Sequence, residues 1–258
     1  MNFPNILALD FDGVICNGLP EYFATTKKTY LEIWESDSTE NLDKFASSFY
    51  QLRPVIEIGW EMPILLRALR LGINEIEILS NWSLVAKTII DNENLKPQEI
   101  STKLDSNRDN WINHDLDSWL ELHQFYPGIL SILKHINNLS IELYIITTKE
   151  GRFAQKLLEQ QGIDLPKERI IGKEYQRPKY QTLKLLLQAS KSPKDITIWF
   201  VEDRLKTLEV VQQQLELSTI KLFLADWGYN TEIERVAARN NPTIEVLSLK
   251  QFQQKFVN

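Results

Sequence analysis

Ile6-Leu7-Ala8-Leu9-Asp10-Phe11-Asp12-Gly13-Val14-Ile15 runs an apolar stretch straight into two carboxylates one residue apart, with a glycine behind them. The apolar run predicts a strand buried on both faces, as in a parallel sheet. The chain must turn where that strand ends, and Gly13 tolerates backbone angles that other residues resist. In open α/β sheets, ligands bind outside the carboxyl ends of the strands. Two acids held there repel each other and lose hydration, so the pair calls for a cation or a proton. An Asp-rich turn that caps a helix has the same local pattern, and the rest of the chain has to decide between them.

From Tyr126-Pro127-Gly128 onward, helix and strand patterns alternate. Residues 129–136 predict an amphipathic helix, and 141–146 a buried strand ending at Thr147-Thr148-Lys149. A helix over 153–161 stops at Gly162; a short strand at Ile170-Ile171 and a helix over 179–189 follow. The strand pattern at 196–201 ends at Glu202-Asp203, and a helix over 205–215 leads to a strand at 220–225 and then Asp226-Trp227-Gly228-Tyr229. A helix at 232–239, a strand at 243–247 and a last helix finish the chain. This alternation predicts an α/β fold: a Rossmann-like parallel sheet with helices on both faces.

Between the first strand and this region lies an insertion with helical texture, so the reading divides the chain into a core of residues 1–16 and 124–258 and an all-helical segment of 17–123. Its helices are expected from Pro20-Glu21 onward, at about 40–52, at 60–71 ending on Gly72, at 83–92 and at 111–123. Ser80-Asn81-Trp82 reads either as a polar and aromatic loop for substrate contact or as a helix N-cap followed by a packed Trp. His123 and His135 show no metal-ligand spacing and read as ordinary helix residues.

The 258 residues are 43% hydrophobic and 25% charged, ordinary globular usage. A net charge of -6 without a basic block argues against a nucleic-acid surface. Cys16 is the only cysteine, so no intrachain disulfide can form, and it reads as a small buried side chain. There is no signal-peptide pattern and no apolar run of about 18 residues, so the expectation is a cytoplasmic protein with no membrane span.

The polar groups fall at equivalent places. Asp10 and Asp12, Thr147 and Thr148, and Glu202 and Asp203 each follow a strand, and in a parallel sheet those ends share one edge. Lys179, opening a helix after Arg177-Pro178, can reach the same edge. Acids, a hydroxyl and an ammonium together suit phosphoryl transfer: carboxylates hold Mg²⁺, the hydroxyl and Lys offset phosphoryl charge, and one carboxylate attacks phosphorus.

With these residues in this order, the chain resembles the haloacid dehalogenase-like hydrolase superfamily. Tyr126-Pro127-Gly128, Thr147-Thr148-Lys149 and Trp227-Gly228-Tyr229 are most similar to its phosphoglycolate phosphatase-like branch, and the insertion after the first motif to that branch's type 1 cap. The resemblance implies that Asp10 is the nucleophile, forming an aspartyl-phosphate, and that Asp12 is the acid and base. It implies phosphoryl binding by Thr147, Thr148 and Lys179, with Lys179 also holding Asp10. Mg²⁺ would be bound by Asp10, the backbone carbonyl of Asp12, and Asp203. Two departures stand out. The fourth motif usually has a glycine before its first acid and a second acid about four residues on, whereas this chain has Glu202 and Thr207. Two outcomes stay open: Glu202 supplies the missing charge as a paired acid, or metal binding is weakened and activity is low. The insertion is also longer than a simple type 1 cap. The expected activity is Mg²⁺-dependent hydrolysis of a small phosphorylated metabolite by a monomer or homodimer. A phosphomutase of the same superfamily and a catalytically degenerate binding or regulatory protein are the alternatives.

Overall fold

The structure is a computed structural model that describes residues 3–35, 41–136, 139–189 and 196–256. It forms two compact units, one made of Met1–Asn17 with Gln124–Asn258 and the other of Gly18–His123.

In the first unit, β1 (Ile6–Leu9) is buried at every position, and after the Asp10–Gly13 turn the chain makes the short β2 (Cys16–Asn17). The second unit then begins with α1 (Leu19–Ile33), which has Pro20 in its first turn. There follow α2 (Ala46–Leu52), α3 (Glu61–Arg70), α4 (Glu75–Asn92), α5 (Pro97–His114) and α6 (Leu116–Glu121). On return, β3 (Gln124–Phe125) pairs antiparallel with β2, Cys16 opposite Phe125 and Asn17 opposite Gln124. The core continues through α7 (Ile129–Ile136), β4 (Glu142–Ile146), α8 (Gly151–Gln160), β5 (Ile170–Ile171) and α9 (Lys179–Ala189). It ends with β6 (Ile198–Glu202), α10 (Leu205–Gln212), β7 (Lys221–Ala225), α11 (Glu232–Arg239), β8 (Ile244–Leu247) and α12 (Leu249–Gln254).

Six strands form one sheet in the order β5-β4-β1-β6-β7-β8, all neighbours parallel. Side chains of a strand alternate between faces, and the two faces have different coverings here. Ile6, Ala8, Ile198 and Phe200 pack with Leu183 of α9 and with Leu205, Leu208 and Val211 of α10. Trp199 meets Phe223 and, on the same side, Phe256, which stacks on Phe3 and meets Phe252 of α12 edge-on. With both faces covered, the strands have to be apolar throughout, which is the pattern the opening stretch displays.

β1 is the pivot of this topology. The chain adds β4 and β5 on one side of it and β6, β7 and β8 on the other. Connections after β1 and after β6 thus run apart, leaving the crevice in which doubly wound sheets hold ligands. The register places Leu9 beside both Ile145 and Val201, so Asp10 stands level with Ile146 and Glu202.

Several expectations within the second unit need correction. Ser80-Asn81-Trp82 is not a loop: it is a kink inside α4 (whose own N-cap is Asn74, accepting the Ile76 amide), where two helical segments meet, so a helix boundary does fall at this stretch. Asn81 (φ −136°, ψ 32°) breaks the helical geometry there, and Trp82 is buried. The helix expected over 111–123 is two, α5 starting at Pro97 and α6 at Leu116. Only Ile100 and Leu104 of α5 are buried, too sparse a face to reveal the helix by periodicity. His123 lies just beyond α6, its Nδ1 3.0 Å from the Trp119 carbonyl oxygen and its ring against the Trp119 indole. The expected start of the second helix, at Glu40, lies outside the described residues; within them α2 begins at Ala46, after a 3-10 turn over Leu42–Phe45.

Candidate active site

The turn after β1 is held tightly. The Phe11 carbonyl accepts the amides of Ile15 and Cys16 at 2.9 Å each, and the Gly13 amide donates to the Cys16 carbonyl at 2.8 Å. Gly13 has φ +86°, a left-handed conformation natural for glycine. It also allows a close approach: a Cβ at Gly13 would lie 2.6 Å from Cγ of Asp203 and nearer still to its Oδ2. Gly228, after β7, closes the other side, where a Cβ would stand 2.9 Å from Asp203 Oδ2 and 2.5 Å from the Gly13 carbonyl oxygen. The Asp203 carboxylate is therefore threaded between two backbones. Its Oδ2 accepts the Tyr229 amide at 2.7 Å, and its carbonyl oxygen accepts Asn230 Nδ2 at 2.9 Å.

Asp10, Lys179, Glu202 and Asp203 meet at this edge. Lys179 Nζ lies 2.8 Å from Asp10 Oδ2 and 2.6 Å from Glu202 Oε2. Asp10 Oδ1 accepts the Phe11 amide at 2.7 Å, and Glu202 Oε1 accepts the Arg204 amide at 3.1 Å. Thr147 is buried at the end of β4, its amide donating to Ile171 and its Oγ1 accepting the Lys149 amide at 3.1 Å. Thr148 is exposed. Asp12 sits on the same turn as Gly13, its Oδ2 3.4 Å from Lys149 Nζ. Its Oδ1 is buried with no hydrogen-bond partner among the described residues. Thr207, in the first turns of α10, is half-buried.

The charges in this cluster do not balance. Asp10, Glu202 and Asp203 each offer a carboxylate oxygen, all within 4.8 Å of one another and all buried. Lys179 is the ammonium in contact with Asp10 and Glu202. Burial, with Glu202 adding to it, pushes Asp10 up to about 7. Burial and then Asp10 push Asp203 up to about 6. Burial raises Glu202 as well, against the pull of Lys179. Burial works against the Lys179 ammonium, but Asp10 and Glu202 outweigh it and hold its pKa above the usual range. A second cation would relieve the acids. An all-oxygen donor set fits a hard cation of the Mg²⁺ kind better than a soft one. Asp10, Glu202 and Asp203 are the residues that would hold it.

Lys149 was not among the site residues expected from sequence; it lies two residues beyond Thr147 at the same strand end. Tyr229 was also missed in any site role. Its amide fixes Asp203, its hydroxyl donates to Asn17 Oδ1 at 3.2 Å, and its carbonyl accepts Arg204 Nη1 at 2.9 Å. Trp227 Nε1 ties the same loop to the Val14 carbonyl at 3.1 Å.

Comparisons with known proteins agree with this architecture. The family model described as haloacid dehalogenase-like hydrolase matches residues 72–214, more than half of the chain. That match takes in Thr147, Lys179, Glu202 and Asp203 and begins after Asp10 and Asp12. No curated protein matches the sequence. Among solved structures, a predicted phosphatase from Clostridium acetobutylicum is similar at 13% identity and TM-score 0.58, covering 98% of each chain. A predicted phosphoglycolate phosphatase from Haemophilus somnus is similar at 12% identity and TM-score 0.56, covering 95% of each chain. Protein tyrosine kinase A of Mycobacterium tuberculosis is similar at 11% identity and TM-score 0.54, with all of both chains covered. At such identities the likeness is one of fold, and the activity has to be argued from the site.

Proposed function

We propose that this chain, which belongs to the haloacid dehalogenase-like hydrolase family, is a Mg²⁺-dependent phosphatase that works through a phosphorylated Asp10. The observation that carries the reading is the cluster of buried acids around one lysine, with Asp10 in contact with that lysine. Such a site suits an anion whose charge spreads over several oxygens, as a transferring phosphoryl group does.

In the first step an Asp10 carboxylate oxygen bonds to phosphorus while the bond from phosphorus to the leaving oxygen breaks. Asp12 gives that oxygen its proton. In the second step water attacks phosphorus, Asp12 takes the proton from it, and Asp10 leaves as a carboxylate with inorganic phosphate released. Carboxylic-phosphoric anhydrides are labile, which makes Asp a better relay to water than Ser. Lys179 holds the Asp10 carboxylate in place and offsets phosphoryl charge, and Thr147 offers its hydroxyl from the adjacent strand end. When bound, Mg²⁺ would supply charge neutralisation between the acids and the phosphoryl oxygens. The substrate class is a small phosphorylated metabolite, with the helical unit Gly18–His123 as the segment that selects it.

The test is hydrolysis of p-nitrophenyl phosphate in Mg²⁺ by the wild type and by Asp10→Asn. The variant is expected to lose at least ~10³-fold in kcat, the scale for removing a nucleophile. Turnover at the wild-type rate would remove Asp10 from the mechanism. Joint uptake of Mg²⁺ and beryllofluoride by the wild type, read by calorimetry, separates an active phosphatase from a binding protein on the same scaffold.

A further inference from the structure

The end of β4 carries a cation for which the scheme above has no use. Lys149 Nζ stands 3.4 Å from Asp12 Oδ2, and the Lys149 side chain is only 8% exposed, that of Asp12 16%. Lys149 is built into its place from both sides of its backbone. Its amide donates to Thr147 Oγ1 at 3.1 Å, and its carbonyl accepts the Lys173 amide at 2.9 Å. Exposed lysines keep their ammonium in water and lay only the stem against the protein. Here the whole side chain is withdrawn, a costly arrangement unless the charge has a partner. On the other side of the pair, Asp12 Oδ1 is buried and without a hydrogen-bond partner among the described residues. One oxygen of Asp12 thus faces an ammonium while the other is bare, though a buried carboxylate oxygen ordinarily has a partner.

We propose that Lys149 is a positioning residue for Asp12. It fixes Oδ2, and thereby the plane of the carboxylate, so that Oδ1 is the oxygen presented for proton exchange with the leaving group and with water. The proposal rests on the phosphatase reading in which Asp12 is the acid and base. Proton transfer needs heavy atoms at hydrogen-bond distance, and a misplacement of about 1 Å is enough to cost ~10²-fold in rate. Without the ammonium the Asp12 side chain can turn about its bonds, and that geometry is lost.

Leaving groups differ in how much they need the proton, and the test uses this. kcat/KM is measured with Mg²⁺ for aryl phosphates whose phenols span a range of acidity, from p-nitrophenyl phosphate to phenyl phosphate. Asp12→Asn should lose activity on both, and at least ~10-fold more on phenyl phosphate than on p-nitrophenyl phosphate, whose leaving phenolate needs the proton least. Lys149→Met, which keeps the stem and removes the charge, should tilt the series the same way with a loss of ~10-fold on phenyl phosphate. Lys149→Arg should restore part of it, and the Asp12→Asn/Lys149→Met double variant should be no worse than Asp12→Asn alone. A uniform loss across the series for Lys149→Met, or a double variant in which the two losses multiply, would overturn the positioning role. If instead Asp12→Asn itself shows no tilt, it is the acid/base assignment that fails. Should Lys149→Met lose the native circular dichroism spectrum, Lys149→Gln carries the same comparison.

Discussion

Gly13→Ala would set a methyl group against the Asp203 carboxylate, one of the three acids proposed to hold the cation. Its Cβ would stand 2.6 Å from Asp203 Cγ, whereas carbon atoms in contact sit about 3.5 Å apart or more. Asp203 or the turn must therefore give by about 1 Å. Neither is loose. Asp203 is held by the Tyr229 amide and the Asn230 side chain, and Gly228 blocks its retreat. The turn is pinned by the Phe11 and Cys16 carbonyls. A φ of +86° at Gly13 adds backbone strain of about 1–2 kcal/mol for any L residue. Gly13→Ala is therefore expected to lower stability by about 2 kcal/mol and to lower kcat for aryl phosphate by ~10²-fold, the scale for an ångström of misplacement. Half-saturation should also shift to higher Mg²⁺. Thermal denaturation by circular dichroism and a Mg²⁺ titration of turnover read the two effects separately. A variant with wild-type turnover and wild-type Mg²⁺ response would refute the claim that Asp203 needs the space above Gly13.

Two further outcomes follow from the buried charges. Asp10 and Asp203 have folded-state pKa values near 7 and 6 against an ordinary 3.8. A carboxyl raised in this way contributes stability that is complete below about pH 4 and lost as pH rises through about 7. The chelator-treated protein should therefore lose melting temperature from about pH 4 to about pH 7, Asp203→Asn should lose less, and Mg²⁺ should recover the wild type at the higher pH; an equal loss in both proteins would contradict this. In the helical unit, Glu21 is fully buried and accepts Arg108 Nε at 2.8 Å, Thr25 Oγ1 at 2.7 Å and Trp119 Nε1 at 3.1 Å. Arg108→Met strips the counter-charge from a buried acid and should destabilise by about 3 kcal/mol, measured by urea denaturation, while Lys103→Met, at an exposed pair, should change little.

Legibility in the sequence depended on how each element is buried. β1 and β6 are buried throughout, and β4 and β7 are largely buried beyond an exposed first residue, so each shows as a largely apolar run. α11 sits half in solvent and shows its boundaries through the Thr231–Glu234 capping box. α5, with its two buried apolar residues, has no such stripe, while the break before Ser83 was legible because two helical segments of α4 meet at non-helical Asn81. At the site, acids and hydroxyls directly behind strands were readable because parallel strands share one edge. Lys149 and Tyr229 were not, since their contacts depend on turns whose path no periodicity encodes: a carboxylate across the crevice for one, an amide to Asp203 for the other. The withdrawn, paired state of Lys149 is a tertiary fact, and in sequence it looks like any lysine opening a loop.

The ribbon of β2 and β3 has a consequence for how this chain can vary. The helical unit leaves the core after Asn17 and rejoins it at Gln124, and those two residues are paired neighbours. Neighbouring strands are about 4.8 Å apart, so to the catalytic core the entire helical unit is the tip of a hairpin. The entropy of closing a hairpin grows only with the logarithm of its length. Splicing a longer, shorter or unrelated folded cassette at that point therefore leaves the register of β1 almost untouched. If the helical unit selects the substrate and the core acids carry the chemistry, as proposed above, the two are separately heritable: recombination at the Asn17–Gln124 junction would exchange the first without disturbing the second.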